Sequence, residues 1–173
     1  MKEIYLAGGC FWGMQAYFEQ LQGIVATEVG YANGHVENPT YEMVCSGTTG
    51  YAEALHIQYD AFVITLRFLL SLYYDVIDPT SYHRQGNDIG EQYRTGIYYV
   101  DEADQPVIEA SLQELAKCYE EPIVVEKETK ETDGLKQLDL DQTFKKIDDK
   151  ESFIFMVTMS TCSYCNSFKK TLV

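Results

Sequence analysis

The chain has 173 residues and a mass of 19.8 kDa, room for one full domain and a fragment of a second. Apolar residues make up 46% and charged residues 23%, which excludes a disordered chain, and no apolar run reaches the roughly 18 residues of a membrane span. The formal charge of −14 argues against nucleic-acid or anionic-membrane partners. Glu3 stands where a leader peptide would turn apolar, so export is not expected. Five scattered cysteines are then read, in a cytoplasmic chain, as catalytic or metal-binding thiols rather than a disulfide scaffold.

In chain order, residues 3–7 form a short strand running into Gly8-Gly9, and residues 12–21 form a helix. Residues 25–31 and 54–59 are strands, separated by a polar, glycine-rich stretch far longer than an ordinary connection, a length usually tied to function or disorder. A second helix covers residues 66–76 and stops at Asp78-Pro79. Residues 95–100 are a strand. Asp104-Gln105-Pro106 opens a third helix, with proline where its missing N–H is harmless and an apolar stripe at Ile108, Leu112, Leu115 and Ala116. Residues 123–125 close with a strand. The order implies helices against one face of a mixed sheet, an α+β two-layer sandwich.

Charge divides the chain. Residues 1–125 carry 5 basic and 18 acidic side chains, residues 126–173 carry 8 and 9. The expected organisation is a domain over residues 1–126, a polar linker over 127–137, and a short appendage over 138–173.

Cys10 is the first residue that carries chemistry. It sits in Gly8-Gly9-Cys10-Phe11-Trp12-Gly13, between the first strand and the first helix. A helix N-terminus favours the thiolate, lowering the thiol's pKa; the glycines and paired aromatics suit a nucleophile beside an apolar pocket. A buried small hydrophobe is the competing reading. Tyr41 offers a phenolic donor from the long loop, or simply packs it down. Glu53 becomes an acid near neutrality if carried inward, and a solvated strand-edge carboxylate otherwise. The run 84–94, RQGNDIGEQYR, is polar enough to be either a site loop or plain surface.

Together, GGCFWG, GYANGHVENPTYEMVCSGTTG, Ala52-Glu53, IDPTS and RQGNDIGEQYRTGIYY resemble the A-class peptide methionine sulfoxide reductases over about residues 3–125. The resemblance implies a ferredoxin-like core and reduction of methionine S-sulfoxide, in proteins or as the free amino acid. It implies Cys10 as nucleophile, Phe11 and Trp12 as the methyl pocket, Glu53 as proton donor, Tyr41 and Tyr93 as hydroxyl donors, and Asp88 as a supporting carboxylate. It further implies a cysteine sulfenic acid intermediate, thioredoxin or a small dithiol as external reductant, no metal or cofactor, and a monomer. His35, His56 and His83 form no HExxH-type pattern. Tyr51 stands where the family pattern usually has histidine, and the family's usual ending is replaced after Val125.

That ending has its own signal. Residues 138–147 read as a helix and 152–159 as an apolar strand, followed by Cys162-Ser163-Tyr164-Cys165, which resembles the opening of a thioredoxin-like domain. The pair could resolve Cys10, be the stump of a fusion, or be half a metal clamp; another close thiol pair is lacking for the last. Cys45 reads as a packed thiol near the site and Cys118 as incidental. Two readings compete with an active reductase: a redox-inert or single-turnover sulfoxide-binding protein, and a redox adaptor using Cys162 and Cys165 alone.

Overall fold

The computed structural model describes residues 1–37 and 39–129; the rest of the expected linker, the appendage, Cys162 and Cys165 lie outside them. Its elements are β1 (Lys2–Ala7), α1 (Phe11–Phe18), β2 (Ile24–Ala32), α2 (Tyr41–Cys45), β3 (Ala52–Tyr59), α3 (Leu66–Val76), β4 (Arg84–Gln85), β5 (Asp88–Ile89), β6 (Gly96–Tyr99), α4 (Gln105–Ala116) and β7 (Glu126–Thr129). Five strands form one sheet in the order β2-β3-β1-β6-β7. β7 runs parallel to β6 and the other neighbours are antiparallel. This is the expected α+β fold around a mixed sheet.

Alternation along the strands sorts the core. Ile4 and Leu6 of β1, Leu55 and Ile57 of β3 and Ile97 of β6 point to one face, where they join Met14 and Phe18 of α1, Leu69, Leu70 and Tyr73 of α3, and Ile108 of α4. Burying each such side chain is worth about 1.5–3 kcal/mol. The intervening residues Tyr5, Ala7, Ala52, Ala54 and Tyr98 form a second buried cluster on the opposite face. The α3 pattern is the one the sequence predicts: Leu66, Leu69, Leu70, Tyr73 and Val76 are buried at helical spacing. Thr65 caps it, accepting the Phe68 N–H at 3.3 Å.

Four local expectations shift. α1 ends at Phe18, because successive three-residue turns carry the chain through Leu21 to Ile24. The long loop contains α2, capped by Thr40, which accepts the Met43 N–H at 3.3 Å. A small hairpin, β4–β5, turns through Gly86-Asn87. The closing strand lies at Glu126–Thr129 rather than 123–125. Val124 donates to the Pro79 carbonyl, and ladder pairing with β6 begins only at Gly96↔Glu126. Ile123 and Val125 are half-buried outside the ladder, Val125 packing against the core.

Candidate active site

Four strand ends converge at one edge of the sheet. Ala7 pairs with Ala54 and with Gly96, and Tyr31 pairs with Glu53. The end of β1 therefore delivers Cys10 beside the start of β3, which carries Glu53, and beside the turn before β6, which carries Tyr93. β3 starts at Ala52, two residues before the expected strand, so Glu53 is inside the ladder with its side chain committed to the helix-covered face. Gly9 makes the exit from β1 possible with φ of +78°, a conformation glycine adopts without strain. At Gly8 a side chain would meet Ile77 Cγ2 at 2.5 Å.

Glu53 is 3% exposed, and its Oε2 accepts the Phe11 N–H at 3.1 Å. That amide belongs to the first turn of α1, so the helix entrance grips a carboxyl 42 residues away. Phe11, Tyr31, Val44 and Tyr51 form a buried cluster with Trp12 against it. The Phe11 and Trp12 rings lie 6.1 Å apart. Tyr41 and Cys45 sit one turn apart on α2, with the Tyr41 hydroxyl donating to the Cys45 sulfur. Asp88, half-buried on β5, lines a small cavity with Gly9, Cys10 and Gln85.

The electrostatics all favour protonated groups. Burial pushes the Glu53 carboxyl up to about 8; the Phe11 amide opposes this and Asp88 adds to it. Burial raises Asp88 as well. Burial, and then the Glu53 charge, push the Cys10 thiol up to about 12. The Gly13 and Trp12 amides do favour the thiolate, as the helix N-terminus predicts, but desolvation and nearby carboxylates outweigh them. The expected lowering of the Cys10 pKa is thereby corrected. Tyr93 is raised by burial and by the charges of Glu53, Cys45, Asp88 and Cys10; Tyr41 is raised chiefly by burial.

Each residue singled out in the described part of the sequence thus lies in one neighbourhood: Cys10, Phe11, Trp12, Tyr41, Glu53, Asp88 and Tyr93. Cys45 is near them but exposed rather than packed, and Cys118 is exposed at the end of α4. Cys10, Cys45 and Cys118 are all unpaired thiols. Among the described residues, no group of three or more His, Cys, Asp or Glu could hold a metal ion, and no helix is long and apolar enough to cross a membrane.

Several supports were not legible in advance. Tyr31 faces Glu53 across the ladder. Tyr51, in place of the family's histidine, donates its hydroxyl to the Val36 carbonyl at 2.8 Å, fastening the long loop. The buried Gln85 amide accepts the Asp78 N–H at 2.8 Å and donates to the Asp78 carbonyl at 2.9 Å, tying the loop of Asp88 to the end of α3. Arg94, buried, donates to Glu126 at 2.8 Å, to the Gly50 carbonyl at 2.9 Å and to the Glu91 carbonyl at 3.3 Å. One guanidinium therefore joins β7, the approach to Glu53 and the turn that carries Tyr93.

A thiol and a buried acid, walled by aromatics and ringed by tyrosines, thus stand together on an α+β scaffold. Comparison with known proteins gives the family. The family model for peptide methionine sulfoxide reductase matches residues 2–147. A peptide methionine sulfoxide reductase MsrA of Lachnoclostridium phytofermentans is 58% identical over 125 residues, covering 72% of this chain and 75% of the relative. Among solved structures, reduced Mxr1 from Saccharomyces cerevisiae superposes with a TM-score of 0.71 at 35% identity, covering 82% of this chain and 84% of that one. A structure of the same yeast protein in complex with Trx2 gives 0.53 at 28% identity, over 72% of each chain. The chain belongs to the peptide methionine sulfoxide reductase family, in its MsrA class, and its family-level function is thiol-dependent reduction of methionine sulfoxide.

Proposed function

We propose that Cys10 attacks the sulfur of methionine S-sulfoxide while Glu53 protonates the oxygen. The observation that carries this reading is the buried Glu53 carboxyl, gripped by the Phe11 amide at 3.1 Å and kept protonated near neutrality by burial. Attack on a sulfoxide pushes negative charge onto its oxygen, a poor leaving group until protonated. Tyr93 and Tyr41 donate to that oxygen as charge develops, Tyr41 exchanging the Cys45 sulfur for it. Asp88 supports the site beside Cys10, and Phe11 and Trp12 wall the pocket for the substrate methyl group.

The step balances without another reactant. The substrate sulfur gains two electrons and the Cys10 sulfur loses two; the S–O bond breaks and the oxygen ends on Cys10 as a sulfenic acid. Glu53 lends its proton to the oxygen, and the thiol proton restores the count. A thiol then condenses with the sulfenic acid, releasing water, and an external dithiol reduces the disulfide. The yeast relative solved with Trx2 favours thioredoxin as that dithiol, with small dithiols as substitutes. We read the chain as a monomeric, cytoplasmic repair enzyme for oxidised proteins or the free oxidised amino acid. Its strand order supports a ferredoxin-like two-layer core with β7 added. Cys162 and Cys165 remain candidates to resolve Cys10.

The test is release of methionine from methionine S-sulfoxide with a small dithiol present. Sustained turnover by the wild type and none by Cys10→Ser is expected; a wild type that never exceeds one turnover would leave a sulfoxide-binding protein instead.

A further inference from the structure

Tyr31 is 0% exposed and its hydroxyl has no hydrogen-bond partner. Buried polar groups are nearly always paired, so this exception calls for an explanation. Tyr31 on β2 stands directly opposite Glu53 on β3, and directly paired residues send their side chains to the same face. Its ring lies 5.9 Å from Phe11 and 6.2 Å from Tyr51, and its hydroxyl is within electrostatic reach of Glu53. The groups facing Glu53 are Cys10 before α1, Tyr41 and Cys45 on α2, Asp88 on β5 and Tyr93 in the turn before β6. None of these is a cation. An ionised Glu53 would therefore have one backbone amide and hydroxyl donors to compensate its charge, and nothing else.

We propose that the Tyr31 hydroxyl becomes the hydrogen-bond donor to the Glu53 carboxylate each time that acid gives up its proton. Tyr31 is then a positioning residue: it acts through Glu53 and sets how readily the acid releases its proton. The resting orphan and the reacting anion are complementary: a donor lacking an acceptor, and a carboxylate with one backbone amide and no cation facing it. The inference rests on the acid role assigned to Glu53, but it can be read without turnover.

Tyr31→Phe keeps the ring and removes only the O–H. The Glu53 carboxylic-acid carbonyl band, identified as the infrared absorption lost in Glu53→Gln, is titrated in wild type and in Tyr31→Phe. The expected result is a midpoint displaced to higher pH, an acid about tenfold weaker. Single-turnover methionine release near neutral pH should be slower by a similar factor, with the melting temperature unchanged or raised because an unpaired buried hydroxyl has gone. A merely structural tyrosine would lower the melting temperature and leave the midpoint alone. An unchanged midpoint overturns the inference. Should the midpoint move while Glu53→Gln keeps wild-type turnover, the Tyr31–Glu53 contact stands and the acid role of Glu53 falls.

Discussion

The two ends of the central strands treat charge in opposite ways. At the start of β1, Lys2 lies 3.0 Å from Asp101 and also pairs with Asp104. Asp101 is held below the usual carboxylate range by the Ala103 amide and by Lys2, and Lys2 is raised, first by Asp104. Carboxylates there are paired with a cation. At the other end of the same strand, Cys10, Glu53 and Asp88 are all raised by burial, with no cation facing them. The nearest buried cation, Arg94, is turned to Glu126. A carboxyl near a lysine is a structural tie, whereas one sealed under a helix entrance is a reservoir of a proton.

Changes at the two ends should therefore separate. The largest effect is expected for Glu53→Gln, with single-turnover rate lowered by about 10²–10⁴-fold. The sign of the pH dependence follows from the raised carboxyl. Folded protein holds a proton that unfolded protein loses above 4.5, so stability is fullest below 4.5 and declines up to about 8. Glu53→Gln should flatten that decline in melting temperature, and should remove the fall in rate as pH rises through 8.

Next come Tyr93→Phe and Tyr41→Phe, each expected to slow the reductive step by about 10–10²-fold with little change in stability. Arg94→Met should mainly destabilise, by about 1–3 kcal/mol in denaturant unfolding, because the Gly50 and Glu91 carbonyls lose a buried donor. Smallest in its effect on the reaction is Lys2→Ala, with methionine release unchanged and a loss of about 1–3 kcal/mol in denaturant unfolding, because the buried Asp104 carboxyl loses its ion-pair partner. A Lys2→Ala rate defect comparable to that of Glu53→Gln would erase the contrast between the two ends.

What the sequence revealed follows how far each signal reaches along the chain. α3 and α4 were legible because apolar spacing and the Pro106 start are local. α2 was hidden in the long loop, since five residues give no period to read and only Thr40 hints at its cap. The shift of the last strand to Glu126 depends on where β6 offers free ladder positions, not on the apolar Ile123-Val124-Val125. At the site, the seven residues that the motifs pointed to do gather, but the supports were invisible. Tyr31 looks like a core aromatic until the β2–β3 register sets it opposite Glu53. Cys10 shows the same limit: its helix entrance is written locally, while the carboxyl that opposes its ionisation lies 43 residues on.

Cys10 and Glu53 form the centre of the account, and a sulfenic-acid trap tests them most directly. With methionine S-sulfoxide and no reductant, wild type should release methionine and carry the trap, or a disulfide, at Cys10. Cys10→Ser should yield neither product. Methionine release undiminished in Cys10→Ser, or oxidation mapped to Cys45 alone, would contradict it.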